Sequence, residues 1–389
     1  MKPLSCILIA AALTACTAAE APLSLRVVRS EMQRNPEASY IDGQEGRLKW
    51  NYTTGLELKA MLDVYETSGD TAILAYADAW YDAVIDSCGR IYNYKKSNYS
   101  TDHVCPGRTL FQLYDLTGKA KYRAAMDTLY SQLQSQPRTP EGGFWHKQVY
   151  PQQMWLDGLY MAQPFYAEYT ARYVTDSLRQ KANYADIAQH FITVFDHTYD
   201  PATGLLRHAW DSAHEMFWCD PETGQSAHAW GRALGWYAMA LVDVIELLPA
   251  GEEQDSLIAL LDQIYQVLPL YADRNTGMWY QVLDRPYAPG NYLEATASAM
   301  FVYAWLKGNR LGVLGNPEGA RQAYASLLET FVTVEDGLVN LNDCCEVAGL
   351  GGKDMRRGDY DYYIHEPVRA NDPKGIGPLV WAALEYERL

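Results

Sequence analysis

The chain reads as an all-α protein, an (α/α)6 barrel built from six helical hairpins, and three observations predict it. From residue 22 onward the apolar periodicity is helical almost throughout, with no hairpin series. Two kinds of helix alternate: one is apolar on nearly all sides and belongs inside, the other carries a charged stripe and belongs outside. Long connections precede each inner helix and short turns follow it, so the long ones gather at one mouth. A helical-repeat array of the tetratricopeptide kind would have shorter, more uniform units than the about 50 to 80 residues between successive inner-helix starts.

The elements follow in order. A first amphipathic helix is expected over 23–34 and a second, apolar nearly all round, over 50–65, with its stop signal at Ser68-Gly69-Asp70. The third, 71–87, places Ile73, Leu74, Ala77, Trp80, Tyr81, Val84 and Ile85 on one face and Asp78 and Asp82 on the other. The fourth spans 106–116 and closes at Thr117-Gly118, and the fifth, 119–133, carries Lys121, Arg123 and Asp127. Helices six to nine are expected over 157–173, 182–199, 230–248 and 255–271. The last three cover 295–306, 319–332 (with Arg321 and Glu329) and 374–386. The even-numbered helices form the inner ring. The long segments 88–105, 134–156, 200–229, 272–294 and 333–373 all lead into one of them.

With 389 residues and 48% apolar content, the chain can build one large core. Its net charge of −16 and lack of a basic run exclude nucleic acid as a partner. The N-terminus has a short positive start, an apolar segment too short to span a bilayer, and Leu13-Thr14-Ala15-Cys16. That ending resembles a bacterial lipobox, which implies a signal peptide over 1–15, lipid on Cys16, a tether over 16–24 and a single catalytic domain over 25–389. The product would be an exported lipoprotein that meets the membrane only through its lipid. Ordinary cleavage near Ala19-Glu20-Ala21 is the competing reading. Cys88, Cys105, Cys219, Cys344 and Cys345 match no metal spacing and read as mostly free thiols, with room for one disulfide. No Gly-rich phosphate loop opens any helix, so neither metal nor other cofactor is expected.

The densest signal is Gln153-Met154-Trp155-Leu156-Asp157-Gly158-Leu159-Tyr160-Met161. It sets one carboxyl beside aromatic residues where a loop enters an apolar run, an environment that favours a protonated acid. Alone, Asp157 would read as a helix cap. Its company is Gly142-Gly143-Phe144-Trp145-His146-Lys147 upstream and His228-Ala229-Trp230-Gly231-Arg232-Ala233-Leu234-Gly235-Trp236 downstream. Trp (11) and Tyr (30) far outnumber Phe (8), and the two commoner rings pair a flat apolar face with a polar handle, which suits sugars.

These motifs, with Trp50-Asn51-Tyr52, Asp102 ahead of Pro106-Gly107-Arg108, Arg207-His208 and Asn371-Asp372-Pro373-Lys374-Gly375, resemble glycoside hydrolase family 105 in order over nearly the whole chain. That family comprises unsaturated rhamnogalacturonyl hydrolases and related unsaturated uronyl hydrolases. The resemblance implies removal of a terminal 4,5-unsaturated uronic acid by hydration of its enol ether, with an unsaturated oligosaccharide as the partner. It further implies Asp157 as acid and base, and Asp102 as the second acidic residue that positions substrate. Trp155, Trp230 and Trp236 would stack on sugar and keep the site dry, although core packing is the better reading for Trp236. Arg232 would grip the substrate carboxylate. His146, Lys147 and His208 would bind hydroxyls, and Tyr52 would wall the donor pocket. The segment Thr101-Asp102-His103-Val104-Cys105 departs from the family pattern at His103 and Cys105. Glu294 reads equally as a pocket residue and as a helix-start carboxylate. The rival functions are a family 88-like unsaturated glucuronyl hydrolase, a non-catalytic glycan-binding lipoprotein and a polysaccharide lyase on the same toroid.

Overall fold

Helices that are apolar on every side can hide only among one another, and six of them do so here. The computed structural model describes residues 21–389. The first helices are α1 (Leu23–Arg34), α2 (Tyr52–Ser68), α3 (Thr71–Val84), α4 (Gly107–Thr117) and α5 (Ala120–Leu133). Then come α6 (Leu156–Tyr173), α7 (Ser177–Thr198), α8 (Gly231–Leu247) and α9 (Glu252–Val267). The last are α10 (Ala295–Arg310), α11 (Pro317–Phe331), α12 (Tyr360–Ile364) and α13 (Pro373–Glu387). Helices α2, α4, α6, α8, α10 and α13 each pack on the next, and α13 packs back on α2, so the inner ring closes. The outer helices α3, α5, α7, α9 and α11 pack on the inner helix before them, and α1 lies against α13. The fold is the (α/α)6 barrel.

Local sequence explains the division. All residues of α8 from Gly231 to Ile245 are buried. In α3 only Ile73, Ala77, Trp80, Tyr81 and Val84 are buried, the spacing of one helical face. Asn51 caps α2 by accepting from the Thr54 N–H, and Gly69 and Gly118, both at φ +67°, end α2 and α4. At the end away from the mouth, Asp243 of α8 accepts hydrogen bonds from Arg108 (2.9 Å), Lys307 (2.8 Å) and Tyr303 (2.6 Å), which joins α4, α8 and α10. The first and last helices are tied by Ser24, whose N–H and Oγ–H donate to the Glu387 carboxylate at 2.9 and 2.6 Å.

Several expectations need correction. Helix α7 starts at Ser177 rather than 182, because the Asp176 side chain caps it through the Leu178 and Arg179 N–H groups. The ninth helix ends at Val267 and continues as a 3-10 turn over Leu268–Tyr271, where Pro269 has no N–H to extend the α-helical ladder. The sixth inner helix is the thirteenth among the described residues, since α12 interrupts the last long connection. Three two-stranded antiparallel sheets also occur: β1 (Gln153–Trp155) with β2 (Ala209–Asp211), β3 (Val332–Glu335) with β4 (Leu338–Leu341), and β5 (Cys344–Cys345) with β6 (Val368–Arg369). Strands of two to four residues are too short to show alternation. Leu23 and Ser24, expected in the tether, belong to α1. The expected signal peptide, Cys16 and the rest of the expected tether up to residue 20 lie outside the described residues. Cys88, Cys105, Cys219, Cys344 and Cys345 are free thiols, and among the described residues no helix is long and apolar enough to cross a membrane.

Two carboxyls are buried where α1 meets α2. Glu57 is 1% exposed, its Oε1 has no partner among the described residues, and burial with the charge of Glu31 beside it holds its pKa well above the carboxylate range. Burial likewise pushes Glu31 up to about 7, against the pull of Arg34. The folded chain thus keeps protons that the unfolded chain releases near 4.5, so stability falls as pH rises from there through about 7. Glu57→Gln is expected to stabilise the fold by at least about 1.4 kcal/mol at pH 8 and by little at pH 4, measured by denaturant unfolding at both values. An equal effect at the two pH values would show that Glu57 is not held protonated.

Candidate active site

Every long connection enters an inner helix from the same side, so the N-termini of the inner helices converge on one mouth. Their dipoles favour negative charge there. The connections are folded on themselves and stitched to one another by backbone hydrogen bonds. Thr101 N–H donates to His146 C=O (3.1 Å), His146 to Gln153 (2.8 Å), Leu156 to His208 (3.1 Å) and His208 to His228 (3.1 Å). Gly231 donates to Gln281 (2.9 Å) and Ala295 to Asp343 (3.0 Å). Side chains complete the belt, through Trp50 Nε1–H to His103 C=O at 2.8 Å and Arg369 to Asp42 at 2.5 Å.

This stitching places Asp157. Strands β1 and β2 pair with Trp155 opposite Ala209, so the next step along sets Leu156 opposite His208. Asp157, in the first turn of α6, then has its Oδ2 3.2 Å from His208 Nε2. The His208 side chain is fully buried and the Asp157 side chain is 15% exposed. The contact is within ion-pair distance but not aligned as a hydrogen bond, and both atoms lack any other partner among the described residues. Catalytic contacts often tighten only when substrate arrives. Trp155 does not cap α6 with its side chain, and Asp157 stands two residues past the cap position. Gly158 follows because a Cβ there would sit 3.0 Å from His146 Nδ1.

Asp102 lies in a 3-10 turn, Thr101–His103, with its Oδ2 2.5 Å from Lys147 Nζ and its Oδ1 3.5 Å from His146 Nε2. Burial alone would raise its pKa, but the Lys147 charge and hydrogen bond outweigh that and hold the carboxyl below its usual range. Burial pushes His146 down to about 4, so its ring is neutral at neutral pH. A cavity of about 610 Å³ opens beside this pair, lined by Tyr52, Asp102, His103, Lys147, Arg369 and Lys374 among others. Among the described residues no group of three or more His, Cys, Asp or Glu could hold a metal ion.

The structure therefore brings together Tyr52, Asp102, His146, Lys147, Asp157 and His208. Trp155 stands parallel to His146 (4.6 Å) and Tyr150 (5.0 Å) and is nearly buried, so it walls the site more than it offers a face to sugar. Trp230 packs behind His208 (4.8 Å) with its Nε1–H donated to Gln281. Trp236 is core, braced by Tyr160 at 4.8 Å and set edge-on to Tyr52. Arg232 departs most from its expected role. It is 1% exposed, and its guanidinium is taken up by the Cys345 and Glu346 carbonyls and the Glu294 carboxylate. Glu294 is the helix-start carboxylate, accepting from Ala297 N–H at the head of α10. Sequence reasoning missed Tyr363, whose hydroxyl lies 2.7 Å from His208 Nδ1 and which no periodic pattern marks. It also gave no role to Arg369, or to Lys374, which lies within a quoted motif.

The family model for Glycosyl Hydrolase Family 88 matches residues 23–389. A solved glycoside hydrolase from family 105 of C. acetobutylicum ATCC 824 is 42% identical, with a TM-score of 0.89 over 95% of this chain and 100% of that one. A protein of Agrobacterium fabrum is 40% identical over 241 residues, 58% of this chain and 97% of its own length. The unsaturated glucuronyl hydrolase of Bacillus sp. GL1, responsible for degradation of glycosaminoglycan, shares the fold, with a TM-score of 0.64 at 14% identity over 94% of this chain and 95% of that one.

Replacing Lys147 by Met should leave Asp102 buried without its main counter-charge. Its carboxyl is then expected to titrate at higher pH than in the unmodified protein, followed by carbon-13 NMR of labelled aspartate. An unchanged midpoint would remove Lys147 as the group that holds Asp102 ionised.

Proposed function

The chain belongs to Glycosyl Hydrolase Family 88 and, with its likeness to the family 105 enzyme, is a glycosidase; we propose that it releases a terminal 4,5-unsaturated uronic acid from lyase-cut oligosaccharides, rhamnogalacturonan fragments first among them. The observation that carries this reading is the partly exposed Asp157 carboxyl, in the first turn of α6, held against the buried His208 ring. Asp157 gives a proton to carbon 4 of the unsaturated ring. Positive charge develops at carbon 5, shared with the ring oxygen. Water adds at carbon 5 and returns a proton to Asp157, and the hemiketal opens and sheds the aglycone. One carboxyl serves as acid and then as base. This differs from the two-carboxylate geometry of ordinary glycosidases.

Asp102, kept ionised by Lys147, supports the cationic intermediate and positions the ring. Lys147 and His146 hold hydroxyls, and Tyr52 walls the donor pocket. With Arg232 turned inward, the substrate carboxylate is met by cations that line the cavity, Lys147, Arg369 and Lys374. Trp155 and Trp230 exclude water around Asp157. The rhamnogalacturonan assignment rests on the resemblance to family 105; glycosaminoglycan fragments, the substrates of a family 88-like glucuronyl hydrolase, are the comparison substrate.

Incubation with unsaturated oligosaccharides should lower their ultraviolet absorbance, whereas a lyase would raise it and a binding protein would leave it unchanged. Asp157→Asn is expected to slow that loss by about 10²–10⁴-fold. An undiminished rate would refute the mechanism. We also propose lipid attachment at Cys16: the full-length protein should fractionate with membranes in a bacterial host, and Cys16→Ala should release it. Equal distribution of the two would exclude the anchor.

A further inference from the structure

His208 meets Asp157 through one ring nitrogen and Tyr363 through the other. Tyr363 belongs to α12, which Asp359 caps by accepting from the Tyr362 N–H. Its carbonyl accepts from Gln281 Nε2 at 3.2 Å, and Gln281 in turn holds the Trp230 indole at 3.0 Å. The Tyr363 ring stacks on Trp230 at 5.9 Å and 20°. Three separate connections thus lock the phenol in place. Both Tyr363 and His208 are fully buried, with Oη 2.7 Å from Nδ1.

That contact can be made in two ways with different consequences. If His208 carried its proton on Nδ1 and gave it to Oη, the phenol's own proton would point into the core. Among the described residues it has no other hydrogen-bond acceptor, and an unmade bond there is costly. If the phenol donates to Nδ1, both the phenol proton and Nδ1 are paired, and the His208 proton sits on Nε2, 3.2 Å from Asp157 Oδ2. Burial and the nearby Asp157 charge keep the phenol protonated at any working pH, so it always has that proton to give.

We propose that Tyr363 is a positioning residue that fixes His208 as the Nε2–H tautomer, so that Oδ2 of Asp157 is the accepting oxygen and Oδ1 carries the proton delivered to substrate. In the other tautomer the Nε2 lone pair would face Oδ2 and compete for the same proton. The second half of this inference rests on the reaction proposed above; the first half does not.

Nitrogen-15 NMR of the ring nitrogens in the intact, substrate-free protein tests the tautomer directly. Nε2 protonated and Nδ1 bare is the expected result, and a protonated Nδ1 overturns the proposal. Tyr363→Phe keeps the ring and removes only the hydroxyl. It is expected to lower kcat on the order of 10²-fold, leave KM within about twofold and lower the thermal midpoint only modestly, through the unpaired His208 Nδ1. Unchanged kcat overturns the positioning role, as does a loss accompanied by raised KM and a strongly lowered thermal midpoint, which would report packing alone. If Asp157→Asn retains full turnover the reaction itself is wrong, yet the ring-nitrogen measurement still decides the tautomer.

Discussion

Backbone hydrogen bonds between connections far apart in sequence are what the mouth of this barrel depends on. The one from Leu156 N–H to His208 C=O matters most, because it extends the β1–β2 register to the residue that meets Asp157. Side chains along a strand alternate in direction, so a slip of one residue would turn the His208 ring away from the acid. Two short strands therefore do what a long sheet does elsewhere: they set the partner of a single carboxyl. The helices behind them supply a rigid frame for those loops.

The barrel was legible because its pattern is long and repeated. Inner helices of eleven to eighteen residues, with an apolar pattern as in α8, leave little room for another reading, and Gly69 and Gly118 mark their own turns. The site was legible where aromatic and ionisable residues cluster in sequence, as at Trp145-His146-Lys147 and Trp155-Leu156-Asp157. It was not legible where partners come from distant segments. Nothing near Arg232 in sequence shows that carbonyls from the β5 segment will occupy its guanidinium. Tyr363 sits among four tyrosine and aspartate neighbours with no period, and only folding brings it under His208. Asp176 as the cap of α7 is a local signal that the apolar pattern alone overlooks.

Charge is organised by distance rather than by total. The chain carries −16, yet screening confines exposed charges to about 8–10 Å at physiological salt. Within that radius the cavity wall holds Lys147, Arg369 and Lys374, and inner-helix N-termini point the same way. Arg369 and Lys374 are each braced by Asp372, and Lys147 by Asp102, so their positions are fixed before any ligand arrives. An acidic protein can in this way set cations, each paired with a carboxylate, within reach of an anionic sugar.

The link between Ser24 and Glu387 carries a lesson about how such a molecule is assembled. In a linear solenoid an end unit can be trimmed and its neighbours survive, because each unit leans only on the next. A closed ring has no end units. Here α1 and α13, far apart in sequence, pack on each other, and α13 also wedges between α2 and α10. Without α13 the flanks of α2 and α10 that it covers would face water, so the apolar interior is sealed only when all six inner helices are in place.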